Sequence, residues 1–206
     1  MSDETKKAPA AGSSTWSSSF GAPLLLICLG AMLSVWVWLN PFRFPMIPKQ
    51  SVLTGMPILA LLVFAFVRAA VSTRGRVSDL LLTWLIAFLM AIHTVLIAVA
   101  VGILSDLGVW VPVATGVLFV GLGPTMMALE PGSMMGLRVE ATLKDEGVWR
   151  QIHRFLGLGF MAIGAVGAAV AAVDPMPAIA IMGIAPILWM LMAAARAKRL
   201  GNRPAP

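Results

Sequence analysis

Charge is what this 206-residue chain has least of. Only 12% of its residues are Asp, Glu, Lys or Arg, about half the share of a soluble domain. Soluble enzymes and disordered tails are excluded on that ground. The single cysteine, Cys28, cannot form an intramolecular disulfide, so a disulfide-stapled scaffold is excluded too. Two histidines and one cysteine, placed at different depths along the chain, are too few for a metal centre. Neither a Gly-rich phosphate loop nor a Ser-His-Asp order occurs, so neither an enzyme nor a bound cofactor is expected. Alternating apolar and polar strands are also missing, which argues against a β-barrel.

Apolar residues are abundant, at 59% of the chain, with a mean hydropathy of +0.92. They fall into six runs, at about 20–39, 53–71, 80–104, 109–129, 155–173 and 176–195. Each approaches the roughly 20 residues that carry a helix across about 30 Å of hydrocarbon. Within these runs the only formal charge is Arg68, close enough to an end for its stem to reach the headgroups. The predicted fold is all-α, a polytopic bundle of six transmembrane helices. Residues 1–19 read as a polar tail without the apolar core of a signal peptide. Residues 20–104 form an N-terminal three-span region and 105–199 a C-terminal one, with a short tail over 200–206.

Basic residues orient the bundle. With the N-terminus inside, only Arg43 and Lys49 of the 15 Lys and Arg fall on outer loops. The two termini and the inner connections hold the rest, as the positive-inside rule requires. Both termini are therefore expected in the cytoplasm. The formal charge of +6 is then an orientation signal, and no nucleic-acid partner is needed to explain it. The outer loop from Asn40 to Pro48 is rich in Pro and aromatics and cannot be helical throughout. Ser105–Gly108 and Asp174-Pro175 make tight hairpins.

The inner segment 130–154 is the longest connection and gathers Glu130, Arg138, Glu140, Lys144, Asp145, Glu146, Arg150, His153 and Arg154. Thr142 followed by Asp145 resembles a helix N-cap, with Leu143 to Arg154 continuing as one helix into the fifth span. Glu146 and Arg150 are spaced as an i,i+4 pair, and Trp149 and His153 share a neighbouring stripe. Read from physics alone, this is an interfacial anchor. The Met134-Met135 pair is either filling or an adaptable contact surface.

The residues also carry a resemblance. Gly136-Leu137-Arg138, Thr142-Leu143, Val148-Trp149 and His153-Arg154, with Gly123 and Pro131, resemble the signature of the SdpI family of bacterial membrane proteins. The likeness covers about 123–160, and the fourth to sixth spans fit that family's C-terminal portion. Pro124 and Gly132 stand where the family usually has Asn, and Val139-Glu140-Ala141 where it has Thr-Pro-Trp. The resemblance implies an immunity protein of the bacterial inner membrane. Such a protein gives resistance to an exported bacteriocin-like peptide or small protein toxin by binding or neutralising it. It also implies capture of a cytoplasmic regulator as a second partner. The candidate binding residues are Gly136, Arg138, Thr142, Leu143, Trp149, His153 and Arg154. A regulatory scaffold and a small transporter are the alternatives.

His93 lies near the centre of the third span. It reads as a neutral imidazole hydrogen-bonded to a neighbouring helix, with a proton- or toxin-responsive site as the alternative. Gly157, Gly159, Gly164 and Gly167 allow close helix packing in the fifth span. That packing is either intramolecular or the seam of a homo-oligomer.

Overall fold

The computed structural model describes residues 21–40, 49–70, 76–105, 107–131, 133 and 135–202. The expectations for the N-terminal tail, most of the Pro-rich outer loop and Met134 lie outside that set. Among the described residues the chain is all helical: α1 Gly21–Leu39, α2 Lys49–Ala70, α3 Arg76–Ala100, α4 Trp110–Met127, α5 Glu140–Lys144, α6 Glu146–Ala171 and α7 Pro175–Gly201. Five of them, α1, α3, α4, α6 and α7, are long and apolar enough to cross a membrane; in α2 the apolar stretch is Leu53–Val67.

Two groups of helices share the chain. α1, α2 and α3 pack together around Ile27, Ala60, Leu82, Ile86 and Met90, and around Val37, Leu53 and Ile97. α4, α6 and α7 pack around Val148, Ile152, Leu156, Ala193 and Ala197, and around Ala171, Ala178 and Met182. Among the described residues α3 against α4 is the only helix pair that joins the groups. The outer surface is apolar: Met32, Phe66, Ile184 and Leu191 are each more than half exposed. Water would not tolerate so large an apolar surface, whereas hydrocarbon solvates it.

With apolar burial giving little drive between helices in lipid, close backbone approach must supply the packing. α4 and α6 meet at two glycine pairs, Gly116 with Gly164 and Gly123 with Gly157, spaced seven residues apart along each helix. A Cβ on Gly116 would come within 2.6 Å of the Gly164 carbonyl oxygen, and one on Gly123 within 2.7 Å of the Gly157 carbonyl oxygen. Conversely, a Cβ on Gly164 or Gly157 would meet Gly116 or Gly123 in turn. The small-residue stripe of the fifth span is thus spent within the chain, on α4 and α7. Gly159 seats the Trp189 ring, and Gly167 packs against Met182.

Several boundaries differ from the expectation, two of them for an evident local reason. The residue that caps the long helix is Asp145, whose carboxylate accepts the amides of Gly147 (2.6 Å) and Val148 (3.1 Å). Thr142 instead sits inside the short α5, and α6 begins at Glu146 rather than Leu143. An acid at the N-cap satisfies two orphan donors and faces the positive helix end, which a buried hydroxyl inside the preceding turn cannot do. α3 stops at Ala100 rather than near 104. Gly102 there takes φ +81°, a left-handed turn that ends helices. At the last hairpin Asp174 caps α7 by accepting the Met176 amide at 2.9 Å, with Pro175 in the first turn, where its missing N–H is no loss.

Candidate functional site: the junction of α4, α5 and α6

The chain leaves α4 at Met127 and enters α6 at Glu146. Its course between is held by side chains of α6. Trp149 is fully buried, and its indole N–H donates to the Leu129 carbonyl at 2.9 Å. One turn on, the His153 ring stacks on that indole, with centroids 4.0 Å apart and planes 22° from parallel. Both residues point into the junction because a four-residue step returns to the same helix face.

The imidazole's protons are assigned by its neighbours. Nε2 accepts the backbone N–H of Leu137 at 3.1 Å, so it carries a lone pair. Nδ1 lies 2.9 Å from the Trp149 carbonyl oxygen and therefore carries the proton. His153 is a neutral ring with both nitrogens engaged. Gly136, one residue before Leu137, has φ +106°, and a Cβ there would collide with His153 Nε2. Only glycine supplies both the left-handed backbone and the space for the approach.

Thr142 closes the other side. Its hydroxyl accepts the Val139 N–H at 3.1 Å and lies 2.8 Å from the carbonyl oxygens of Leu137 and Val139. Leu137, Val139 and Ala141 pack on Val148 and Ile152, so the connection is a packed lid over the end of the α6–α7 pair. Outside it stand two solvent-exposed ion pairs, Lys144 with Glu140 at 2.6 Å and Arg150 with Glu146 at 3.3 Å. Hydrogen bonding from Lys144, then its charge, holds the Glu140 carboxyl below its ordinary range.

Gly136, Thr142, Trp149 and His153 thus come together in one hydrogen-bonded unit. Arg138, Leu143 and Arg154 do not join it; all three are exposed. His93 lies far off, in the other helix group, buried against Gly30 and 2.9 Å from Ser34 Oγ. The Ser34 hydroxyl donates to the Gly30 carbonyl at 3.1 Å, leaving Nε2 of His93 as the donor to Oγ. His93 is thus hydrogen-bonded to the neighbouring helix α1. Sequence reasoning missed Ser34 and Leu129, and named Leu137 and Asp145 without the roles they play here. Ser34 is the one hydroxyl of α1 and was findable; backbone groups of Leu129 and Leu137 leave no trace in side-chain type.

An apolar cleft of about 600 Å³ opens between α3 and α4, lined by Leu80, Trp84, Val117, Val120, Gly121 and Pro124 among others. Thr125, also on its wall, turns its hydroxyl back to the Gly121 carbonyl at 3.2 Å and offers the cleft no polar group. No cluster of three or more His, Cys, Asp or Glu able to hold a metal occurs among the described residues.

Long apolar helices packed through glycine, with charge gathered at one connection and at helix ends, define a multi-pass helical membrane protein. Residues 128–195, just after the end of α4 through the junction and α6 into α7, match the SdpI/YfhL protein family. No curated protein and no solved structure matches the chain.

Proposed function

We propose that the chain is an immunity protein of a bacterial inner membrane, protecting its host from an exported antimicrobial peptide or small protein toxin. The family match over residues 128–195 carries this reading. It comes with a topology of six spans, α2 among them, and both termini in the cytoplasm, supported by the distribution of Lys and Arg. The protein acts as a binder and not as an enzyme. Both His153 nitrogens are engaged in holding the junction, which leaves that ring no free lone pair for proton transfer.

In this reading the junction residues build the domain and the toxin is met elsewhere. Trp149, His153 and Thr142 are buried and occupied with one another and with the backbone. An exported toxin arrives from the opposite face, so its contact falls to the spans and the outer loops. The test is survival of a sensitive strain carrying the chain, exposed to secreted material from the source organism, beside an empty-vector control. Protection with normal insertion supports immunity. Loss of all cells, with the protein inserted and the toxin demonstrably active, overturns it.

A further inference from the structure

The α6–α7 seam carries an arrangement that neither the junction nor the cleft explains. The Phe155 and Trp189 rings stack at 4.4 Å, 15° from parallel, and the Trp189 indole N–H is tied to the Phe155 carbonyl at 3.1 Å. The Arg196 guanidinium lies over the Phe155 ring, 4.9 Å from its centroid. Stacking on an aromatic face fixes the plane of a guanidinium and leaves its N–H edge free for a second partner. No carboxylate pairs with Arg196 or with Arg199 among the described residues. Glu140 and Glu146, acids of the inner segment, are held by Lys144 and Arg150.

Below the guanidinium, toward the middle of α7, the surface is apolar. Leu188, Met192 and Arg196 recur every four residues and so form one stripe, with Leu188 and Met192 about half exposed. Arg199 continues the basic end of the same side. The ligand that matches an apolar stripe ending in a pre-oriented guanidinium with a second arginine beside it is amphipathic and anionic. Planar N–H pairs suit phosphate oxygens, and basic clefts between membrane helices hold anionic headgroups. We infer that the Phe155–Trp189–Arg196 seam is a binding site for an anionic phospholipid, with its phosphate on Arg196 and Arg199 and an acyl chain along Leu188 and Met192. An acidic soluble protein would match the charge but would have no use for the apolar stripe.

The purified full chain in neutral detergent, supplied with equal amounts of dioleoylphosphatidylglycerol and dioleoylphosphatidylcholine, is read by native mass spectrometry. The expected result is preferential retention of phosphatidylglycerol. Arg196→Gln lowers that retention roughly fivefold, the effect of about one basic residue at a membrane surface. Arg150→Gln removes the same charge from the same end of the molecule but leaves retention unchanged. If Arg196→Gln does not insert, Arg199→Gln, near the helix end, takes its place with the same expectation. Equal retention of the two lipids overturns the site. So does an equal loss in Arg150→Gln, which would reduce the effect to general charge. Polyglutamate binding that depends on Arg196 while phosphatidylglycerol is not retained would make this a protein-docking surface and end the lipid assignment.

Discussion

His153 on α6 accepts the backbone N–H of Leu137 across sixteen residues of chain, at 3.1 Å. That single bond fixes the ring's tautomer and ties the inner connection to the long helix. It is also measurable. Nitrogen-15 NMR of histidine-labelled protein at neutral pH should show His153 as the Nδ1–H tautomer. An Nε2–H signal would mean that the Leu137 amide has another acceptor.

Gly136→Ala should be among the most damaging single changes at the junction. It forces a side chain into φ +106° and against His153 Nε2, a combination worth about 1–3 kcal/mol of backbone strain before the collision is counted. The measurement is thermal unfolding in detergent. A variant as stable as the parent would show that the glycine does not adopt this backbone.

Trp149→Phe separates packing from hydrogen bonding. It keeps a buried aromatic ring and strands the Leu129 carbonyl, at a cost of about 1–3 kcal/mol. Arg138→Ala, at an exposed position with no ion pair among the described residues, should change stability by less than about 0.5 kcal/mol. In the survival assay Arg138→Ala should still protect. Loss of protection with normal insertion would move toxin contact onto the inner segment.

Two glycines in neighbouring helices should answer oppositely to alanine. Gly164 faces the Gly116 carbonyl and the Phe119 Cβ, so Gly164→Ala must push α4 and α6 apart and lower the melting temperature. Gly183 has open space where a Cβ would stand, with nothing within 4 Å, so Gly183→Ala should be neutral or stabilising, by up to about 1 kcal/mol. Equal effects would contradict the α4–α6 contact.

Ser34→Ala removes the hydroxyl that meets the fully buried His93 ring and should destabilise the first helix group by about 1–3 kcal/mol. It should leave the junction intact. Partial proteolysis that attacks the N-terminal half first would show this, and uniform digestion would count against two separately packed groups.

Glu140 gives a test by pH. Lys144 holds its carboxyl below the ordinary range, so Lys144→Gln should raise the Glu140 titration midpoint toward that of a free glutamate. Carbon-13 NMR of the side-chain carboxyl reads this directly. An unchanged midpoint would mean the pair does not form in solution.

Much of the protein was decided by sequence alone, for reasons that need no partner. Long apolar runs admit only helices in hydrocarbon, because every backbone donor and acceptor must be satisfied within the segment. That is why the helices could be placed from the apolar runs themselves, and why Glu146 and Arg150 could be paired by spacing. Gly136, Thr142, Trp149 and His153 were recognisable as a signature, but not what they do. Their contacts are made largely with backbone groups of Leu129, Leu137 and Val139, and every residue type except proline carries those groups alike. The helix cap shows the same limit: Thr142 and Asp145 are both competent caps, and only the fold of the connection over Val148 and Ile152 selected Asp145 for α6. Tertiary structure likewise decided that Arg138 and Arg154 stand outside the unit, that the glycine stripe of α6 is used within the chain, and that Arg196 meets Phe155. Periodicity says which face of a helix is apolar or small. Which neighbour that face meets depends on how the helices cross.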